Sequence, residues 1–404
     1  MLRTPAMLHT FAPRPATGAG RAFALLCAHV WALANVRKDG YAFISGFAAA
    51  CSLFNHTCRY FDRETGSRGW QMNHYEEKEQ QQDLEKVEEY LWEYLRDPGY
   101  GGAVGQILQD LEKSKGKRLR PRLLLMASRY GKNDTANAPE TRDRLCRLGA
   151  LVELVHMASL VHDDIVDDAP LRRGVPTTQA KYGKDMAVYA GDLILSRIVQ
   201  SLFRDGFYRV GALFGDAVES MCLGELGQME CRGREDITVE KYMRNIYGKT
   251  AALCRLACLA GAVESGCSEE VQEQLEQLGI NFGYMFQIRD DLLDFVSDAG
   301  KEGKMTQMDF REGILTLPVI YAMEDAQTRA RIIEFLHAVK EDRFNEENAG
   351  ELKMLVTESG GLARAAADME MYAERALQAV ETLPDHGVSD VFRELLRAKC
   401  KASQ

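Results

Sequence analysis

Apolar residues recur every three or four positions along most of the chain from Asp83 onward. This spacing places them on one face of an α-helix, and alternating apolar runs bounded by hairpin turns are nearly absent. The clearest helical stretches are LEKVEEYLWEYL (84–95), RLCRLGALVELVHMASLVHDDIVDD (144–168) and EQLEQLGINFGYMFQIRDDLLDF (273–295). Glycine, proline and asparagine cluster between such stretches, so the pattern predicts an all-α bundle joined by loops.

The composition is ordinary for a globular protein and narrows the choice of partners. Of 404 residues, 46% are hydrophobic and 27% are charged. The formal net charge of −10 argues against nucleic acid as a partner, because phosphate binding favours a basic surface. Ten scattered cysteines without a CxxC pair indicate a reducing, cytoplasmic environment rather than a disulfide framework.

The first 71 residues differ from the rest in charge and pattern. They hold eight Lys/Arg and three Asp/Glu, whereas the whole chain holds 50 and 60. Their apolar stretch at 22–36 is short for a membrane span and contains a histidine. We predict an extension at 1–71 that is disordered or not native, followed by a helical domain at 72–404 that starts at Met72. A targeting segment and a genuine extension are the alternatives.

A cluster of carboxylates stands at the end of the second long helical stretch, namely Asp163, Asp164, Asp167 and Asp168. Like charges at i and i+4 repel each other and a helix C-terminus favours cations, so this cluster needs positive charge beside it. Carboxylate oxygens suit Mg²⁺, which typically takes one or two of them and completes its shell with water and phosphate oxygens. Arg172 and Arg173 follow on a loop, where guanidinium groups can bind phosphate. A solvated acidic helix end is the plain structural alternative.

A second acidic cluster strengthens the functional interpretation. FQIRDDLLDF (286–295) repeats the spacing with Asp290, Asp291 and Asp294 inside an amphipathic helix. One such cluster arises easily by chance on a solvated helix, but two in one all-helical chain are harder to explain in that way. Two facing carboxylate sets would hold several Mg²⁺ ions around a diphosphate.

The chain from about Asp83 to its C-terminus resembles the trans-isoprenyl diphosphate synthases, the polyprenyl synthetase family. The matching stretches, in the order of the family's motifs, are GKRLRP (116–121), LVHMASLVHDDIVDDAPLRRGVPT (154–177), YAGDLILSR (189–197), GKTAAL (248–253), FQIRDDLLDF (286–295) and REGILTLPVIYA (311–322). The resemblance implies that 72–404 is a polyprenyl synthetase catalytic domain. It also implies the isoprenoid-synthase helical bundle around a deep central cavity.

The resemblance assigns roles by position. The implied ligands of about three Mg²⁺ ions are Asp163, Asp164, Asp167, Asp290 and Asp294. The implied isopentenyl diphosphate site, which is cationic and needs no metal, consists of Lys117, Arg120, His156 and Arg173. The implied allylic diphosphate site consists of Arg172, Lys249, Thr250, Gln287 and Lys304. The residues taken as catalytic are Asp163, Asp164, Asp167, Arg172, Lys249 and Asp290. Singly, each has a plain structural alternative, and only the joint pattern supports these roles.

The implied reaction is Mg²⁺-dependent condensation of isopentenyl diphosphate onto an allylic diphosphate such as farnesyl diphosphate. The allylic diphosphate ionises, and Mg²⁺ and basic residues stabilise the charge on the leaving pyrophosphate. The double bond of isopentenyl diphosphate attacks the allylic cation, and a proton is then lost. Apolar helix faces exclude water, which would otherwise quench the cation. No nucleophilic serine or cysteine is needed, and none is conspicuous.

The chain departs from the family's pattern at four positions. Met305 and Gln307 replace a proline and a glycine in GKMTQMDF (303–310), which follows the second aspartate motif. Gln179 stands where histidine is frequent, and Met285 stands where a small residue is frequent. These changes leave the implied metal ligands intact but affect the expected geometry of the loop at 303–310 and the turnover rate.

Ala158 and Ser159, which lie five and four residues before Asp163, are expected to set the product length. In the family, Phe or Tyr at these positions goes with short products. Both residues are small here, so the resemblance implies a long-chain all-trans product. We expect about six to ten isoprene units, and seven is favoured; at about 1.5 Å rise per residue, Ala158 lies roughly 7–8 Å below the first ligand.

Alternative activities are a short-chain (C15 or C20) synthase and a class I terpene cyclase, but GKRLRP and the paired arginines argue against the cyclase. A non-catalytic regulatory subunit would lack one or both aspartate motifs. The resemblance further implies a homodimer, or a heterodimer with a small non-catalytic subunit. We expect a cytoplasmic enzyme, peripheral to the membrane, whose product enters the membrane and supplies a quinone side chain.

Overall fold

The computed structural model describes residues 74–96, 99, 101–113, 116–132, 138–296, 307–384 and 386–401. The predictions made for the extension at 1–71, for Lys304 and for Met305 lie outside these residues. Within the described residues the chain is almost entirely helical. The all-α fold class predicted from the apolar spacing is therefore confirmed.

The described α-helices are α1 His74–Leu95, α2 Gly102–Lys113, α3 Leu119–Ser128, α4 Pro139–Val166, α5 Thr178–Tyr182, α6 Lys184–Arg204, α7 Gly211–Cys231, α8 Val239–Ile246, α9 Ala252–Glu264, α10 Glu269–Val296, α11 Met308–Arg311, α12 Leu317–Ala322, α13 Ala326–Lys340, α14 Glu346–Glu358, α15 Gly361–Thr382 and α16 Gly387–Lys401. A π-helical turn, Tyr247–Ala251, joins α8 to α9. Strands β1 (Leu171–Arg172) and β2 (Val175–Pro176) pair antiparallel, with Leu171 opposite Pro176 and Arg172 opposite Val175.

Helix α4 is a 28-residue helix that runs through the core and ends at the first aspartate motif. Pro139 occupies its first turn, where the missing N–H group costs no hydrogen bond. The helix packs against α1, α3, α6 and α9, and most of its side chains from Leu145 to Val161 are buried. It stops because Asp168 adopts a left-handed backbone conformation (φ 48°) and Pro170 cannot continue a helix.

Helix α10 is the second 28-residue helix in the core and carries the second aspartate motif. It packs against α9, α15 and the π-helical turn. Two of its glycines allow this close approach, since a Cβ atom at Gly279 would lie 2.7 Å from Cys254 O and one at Gly283 would lie 2.4 Å from Ala251 Cα. The backbones of α9 and α10 therefore touch, which brings the π-helical turn beside the second aspartate motif.

In the part of the chain that the structure describes, three helical stretches are long and apolar enough to cross a membrane, judged by length and composition alone: Pro139–Val166, Lys184–Arg204 and Val239–Glu264. Their apolar windows are buried inside the protein to 72%, 39% and 78%, respectively. Helix α6 is thus the least covered of the three. Together with α7 it exposes a set of large apolar side chains, which includes Tyr189, Val199, Phe203, Leu223, Leu226 and Met229.

Candidate active site

The first aspartate motif occupies the last turn of α4 and the residues directly after it. Asp164 is 6% exposed, and its Oδ1 accepts a hydrogen bond from Arg172 Nε at 2.7 Å. Asp168 is exposed and lies 2.9 Å from Lys184 Nζ. Two of the four carboxylates are therefore paired with cations of the chain itself, and Arg172 reaches Asp164 because the β1–β2 hairpin folds back over the end of α4.

Asp163 carries charge that the protein does not fully compensate. Burial raises the pKa of its carboxyl group to about 7, and the neighbouring carboxylates of Glu225 and Asp167 act in the same direction. Lys249 and Arg172 oppose this rise in the pKa but do not cancel it. A carboxylate held in this way gains stability when a cation binds beside it.

Lys249 lies in the π-helical turn, opposite the first aspartate motif. A Cβ atom at Gly248 would lie 2.3 Å from Ser220 O and one at Gly224 would lie 2.8 Å from Asn245 O, so the turn and α7 are in backbone contact. Lys249 Nζ donates to Gln228 Oε1 at 3.3 Å. Burial lowers the pKa of Lys249, but the surrounding carboxylates outweigh burial and raise that pKa, namely Glu225, Asp309, Asp163 and Asp167.

The second aspartate motif is held by a chain of hydrogen bonds inside the core. Asp291 is 3% exposed and accepts bonds from Tyr242 Oη at 2.5 Å and from Gln287 Nε2 at 2.9 Å. Thr250 Oγ1 in turn donates to Gln287 Oε1 at 2.6 Å. Burial and the charge of Asp309 raise the pKa of Asp291. The predicted allylic residues Thr250 and Gln287 are thus connected to the second motif.

The other acids of the second motif differ in exposure. The side chain of Asp290 is 45% exposed and lies 3.4 Å from Arg289 Nη1. Asp294 Oδ1 accepts a bond from the backbone N–H of Met308 at 3.1 Å, whereas its Oδ2 is buried and has no hydrogen-bond partner in the structure. Asp309 faces Asp294, and burial together with this neighbouring charge raises the pKa of Asp309.

These acids suit Mg²⁺, the ion on which prenyl diphosphate synthases generally depend. All the donors are carboxylate oxygens, which this hard cation prefers. Among the described residues, no three His, Cys, Asp or Glu side chains converge closely enough to hold an ion unaided. Each ion would take one or two carboxylates and complete its shell with diphosphate oxygens and water. The raised pKa of Asp163 and the unpartnered Oδ2 of Asp294 are consistent with a site that awaits positive charge.

Of the predicted isopentenyl diphosphate residues, His156 lies on α4 about two turns before Asp163, and Arg120 and Arg173 lie close to it. His156 has its pKa lowered well below the usual value, first by burial and then by four guanidinium groups, those of Arg120, Arg173, Arg172 and Arg118. Its imidazole is therefore neutral at physiological pH and can donate one hydrogen bond and accept another. His156, Arg172 and Arg173 line one cleft with the hairpin and α5. Lys117 is exposed on the segment that precedes α3.

Several residues of this site were not predicted from the sequence. Glu225, Tyr242 and Asp309 face the aspartate motifs, while Arg118 and Glu153 belong to the cationic side. Arg118 stands inside GKRLRP and Asp309 stands inside GKMTQMDF, so their positions in those motifs were the available signal. Glu225 and Tyr242 lie on amphipathic helices where no spacing distinguishes them from other polar or core residues.

The structure also describes the two residues predicted to set the product length and two of the residues that depart from the family's pattern. Ala158 is 1% exposed, and Ser159 is half-buried with its hydroxyl donating to His156 O at 2.9 Å. Gln179 Nε2 donates to Ala169 O at 2.8 Å and so fixes the loop after the first motif. Met285 is fully buried in the core on α10.

Comparison with known proteins defines the class. Residues 103–354 match the family model described as Polyprenyl synthetase. The chain belongs to this family, whose members are prenyltransferases that make polyprenyl diphosphates. This confirms the family that the motifs indicated.

Individual relatives make different products. The chain is 33% identical over 313 residues to heptaprenyl diphosphate synthase component 2 of Geobacillus stearothermophilus, which covers 78% of this chain and 93% of that protein. It is 38% identical over 227 residues to a short chain isoprenyl diphosphate synthase of Methanothermobacter thermautotrophicus, covering 55% of this chain and 68% of that protein. A crystal structure of a decaprenyl diphosphate synthase from Rhodobacter capsulatus is similar with a TM-score of 0.73 at 29% identity, covering 81% of this chain and 98% of that one.

Proposed function

We propose that the chain is the catalytic subunit of a long-chain all-trans-polyprenyl diphosphate synthase that uses farnesyl or a similar allylic diphosphate. Two groups of opposite charge adjoin near the end of α4. One is an acidic cluster in which Lys249 acts on the pKa of Asp163, and the other is a cleft rich in arginine around His156. A reaction between two diphosphates needs two such subsites: one for the diphosphate that leaves and one for the diphosphate that stays.

In this proposal the acidic side holds the allylic diphosphate. Bound Mg²⁺, in about three ions, would supply Lewis-acid stabilisation of the leaving diphosphate. Asp163, Asp167 and Asp290 would hold these ions, with Asp294 as a further ligand. Lys249 and Arg172 donate hydrogen bonds to the same diphosphate. Asp164 is assigned with the first motif, and its pairing with Arg172 gives it the additional task of orienting that guanidinium.

The cationic side holds isopentenyl diphosphate without metal. Lys117, Arg120 and Arg173 supply positive charge for its diphosphate, and neutral His156 supplies a hydrogen bond rather than a charge. Thr250 and Gln287 stand beside the second motif, where they contact the allylic substrate. No protein base is assigned, and the departing pyrophosphate takes the proton.

The product length is proposed from α4. The growing chain runs along this helix away from Asp163, past Ser159 and Ala158, at about 1.5 Å per residue. Because both side chains are small, the path continues beyond the farnesyl and geranylgeranyl lengths. We propose a product of about six to ten isoprene units, with seven favoured; the 7–8 Å depth of Ala158 corresponds roughly to one unit.

The exposed apolar face of α6 and α7 suggests how the subunit associates. Phe203 and Tyr208 are 65% and 72% exposed, and they line an apolar groove with Phe214 and Val218. A large exposed apolar patch marks an interaction surface. We propose that this face binds a second copy of the chain or a small non-catalytic subunit, since two relatives are called component 2 of their synthase.

The placement in the cell and the role of the N-terminal segment follow the same proposal. The enzyme acts in the cytoplasm, peripheral to the membrane that receives the product for a quinone side chain. Residues 1–71 are dispensable for the reaction. A chain that starts at Met72 is expected to fold and to condense substrates like the full chain. A loss of solubility or of the condensation rate would show that residues 1–71 are needed by the domain at 72–404.

The central test is incubation of the purified full chain with farnesyl diphosphate, labelled isopentenyl diphosphate and Mg²⁺, followed by sizing of the products. We expect long-chain products and loss of all product when the divalent metal is chelated. Ala158→Phe is expected to shorten the product to C15 or C20 without abolishing condensation, because it touches no ligand.

Each alternative has its own result in this test. A wild-type product of C20 or shorter, or an unchanged length in Ala158→Phe, would reject the long-chain assignment. A cyclic hydrocarbon made without isopentenyl diphosphate would indicate a terpene cyclase. Activity that requires a second subunit would support the heterodimer, and light scattering of Phe203→Glu beside the wild type measures self-association through α6 and α7.

A further inference from the structure

Arg118 is the arginine of GKRLRP that the family resemblance does not place among the substrate-binding residues. It precedes α3 in a left-handed backbone conformation (φ 49°, ψ 41°), and its side chain is 9% exposed. Its Nε and Nη2 donate to the two oxygens of Glu88 on α1, at 2.6 and 2.8 Å. Its Nη1 donates to Glu153 Oε1 on α4 at 3.0 Å. The guanidinium thus joins the GKRLRP segment to two helices.

Glu153 is only partly explained by this contact. It is 3% exposed and stands three residues before His156, so both side chains share one face of α4. Its Oε1 accepts the bond from Arg118, whereas its Oε2 is buried and has no hydrogen-bond partner in the structure. A buried carboxylate oxygen without a donor is costly, and in a stable fold it calls for an explanation.

Glu153, which carries the unpartnered oxygen, lines the cleft that holds the arginines. Glu153, His156, Arg118 and Arg173 all line it. A Cβ atom at Gly116 would lie 3.2 Å from Arg173 Nη1, 3.3 Å from Arg118 Nη1 and 3.5 Å from Glu153 Oε1. The two guanidinium groups and the carboxylate therefore meet at one point, which only the absence of a side chain at Gly116 leaves open.

We propose that Glu153 is the positioning residue of the isopentenyl diphosphate subsite. One of its oxygens fixes Arg118, and the other is the acceptor against which the guanidinium of Arg173 aligns its remaining N–H groups toward the diphosphate. This inference rests on the proposed function, because it assigns the cationic cleft to isopentenyl diphosphate. A preorganised guanidinium loses less conformational freedom when it binds a diphosphate.

A purely structural role does not account for Glu153 equally well. Glu88 already binds two N–H groups of Arg118, so the guanidinium remains tied to α1 without Glu153. Glu153 also supplies negative charge among the four guanidinium groups that surround His156, and this charge reduces their mutual repulsion before substrate arrives. Glu88 and Glu153 therefore both bind the guanidinium of Arg118, but of these two carboxylates Glu153 is the one that lines the cleft.

The experiment compares Glu153→Gln with Glu88→Gln in the full chain. Steady-state rates are measured with isopentenyl diphosphate and the allylic substrate varied separately, and binding of isopentenyl diphosphate alone is measured by calorimetry. We expect Glu153→Gln to raise the KM and the dissociation constant for isopentenyl diphosphate about tenfold or more, with kcat within about threefold and the allylic KM unchanged. Glu88→Gln is expected to lower the melting temperature while leaving both KM values near those of the wild type.

The outcomes separate this inference from the proposed function. Equal effects of the two variants on the KM for isopentenyl diphosphate, equal effects of Glu153→Gln on both substrates, or no effect at all would overturn the positioning role. If the wild type makes no condensation product, the proposed function fails. The calorimetric comparison of the two variants still decides the role of Glu153, since it needs no turnover.

Discussion

The two aspartate motifs share the spacing of their acids but differ in what compensates them. Asp164 in the first motif is paired with the guanidinium of Arg172, whose side chain is 34% exposed. Asp291 in the second motif is bonded by the neutral hydroxyl of Tyr242 and the neutral amide of Gln287 inside the core. Both carboxylates are buried, but a cation offsets the charge of Asp164, whereas the neutral donors fix the position of Asp291 and leave its charge without a counterion among these bonds.

The two carboxylate sets also differ in the parts of the chain that supply their partners. The first set stands at a helix end beside a hairpin, so its partners come from a following loop. The second set stands inside α10, and its partners come from α8, from the same helix and from the backbone at Met308. We infer that the environment of the first motif is set mainly by ion pairing, and that the environment of the second motif is set mainly by hydrogen bonds that fix the positions of its carboxylates.

The largest expected effect comes from removing expected ligands of Mg²⁺. Asp163→Asn and Asp290→Ala should each lower the condensation rate by about a thousandfold or more, because each removes an expected ligand of the ions that stabilise the leaving diphosphate. Asp168→Asn is the matched control, since Asp168 is exposed, pairs with Lys184 and has a left-handed backbone that asparagine tolerates. We expect this control to stay within a few-fold of the wild type.

Normal turnover by Asp163→Asn or Asp290→Ala, with folding checked by circular dichroism, would reduce that cluster to a solvated helix end. A large loss in Asp168→Asn would instead show that the whole first motif acts as one charged unit. Either result would contradict the distinction between the expected metal ligands and Asp168, which pairs with Lys184.

The second effect is on stability as a function of pH. The pKa of Asp163 is raised to about 7 in the folded protein, so the charged form is disfavoured there relative to the unfolded chain, where the pKa is about 3.9. Stability without Mg²⁺ and diphosphate should therefore fall as the pH rises from about 4 through 7. Thermal melts of Asp163→Asn should show a smaller fall and a higher melting temperature than the wild type at pH 8.

The slope in Asp163→Asn should shrink without vanishing, because burial also raises the pKa values of Asp291 and Asp309. Mg²⁺ with inorganic pyrophosphate should restore stability to the wild type at pH 8 and do less for the variant. Identical pH profiles for the two proteins would contradict the assignment of uncompensated charge to Asp163.

A smaller effect is expected at the neutral partner of the second motif. Tyr242→Phe removes a hydroxyl that donates to buried Asp291, so we expect a loss of about 1–3 kcal/mol in the free energy of unfolding and a decrease in kcat of about tenfold. Tyr94→Phe is a matched control, because Tyr94 is 3% exposed and its hydroxyl donates to Asp205 at 2.6 Å, away from the residues of the site.

The two tyrosine variants should lose similar stability, as measured by chemical denaturation, but only Tyr242→Phe should lose rate. If both variants keep the wild-type kcat, the position of Asp291 has no part in catalysis. If both lose it, the rate reports general stability rather than the geometry of the second motif.

Much of the fold and of this site could be predicted from the sequence. Periodic apolar residues predict α4 and α10, and the grouped acids and GKRLRP identify the motifs that we propose bind the substrates. Partners supplied by single residues could not be predicted, because Tyr242 and Glu225 sit on helices whose pattern fits ordinary core and surface positions. The contact of Tyr242 is with a residue of α10, and Glu225 lies beside Lys249 because Gly224 lets α7 approach the backbone of the π-helical turn. No local spacing encodes either approach.

Gln307 shows the opposite case, in which a departure from the family's pattern has a structural explanation. It stands where many members have glycine, and it adopts a left-handed conformation (φ 58°) that glycine accepts at no steric cost. Its side chain is 1% exposed, and its Nε2 donates to Ala349 O on α14 at 2.9 Å. Its backbone N–H donates to Asp294 O at 3.1 Å, which joins the second motif to α11. The side-chain bond offsets part of the backbone strain.

The smallest expected effect tests this balance. Gln307→Ala loses the bond to Ala349 and keeps the strained backbone, so we expect it to destabilise the fold by about 1–3 kcal/mol. Gln307→Gly loses the same bond but relieves about 1–2 kcal/mol of left-handed strain, so it should be more stable than the alanine variant. Asp342, which is exposed and has φ 54°, provides the reference, since its alanine and glycine variants differ in strain without the buried bond. Chemical denaturation of the four variants gives the difference in the free energy of unfolding between alanine and glycine at each of the two positions. Equal stability of Gln307→Ala and Gln307→Gly would show that the left-handed conformation at Gln307 does not destabilise the fold.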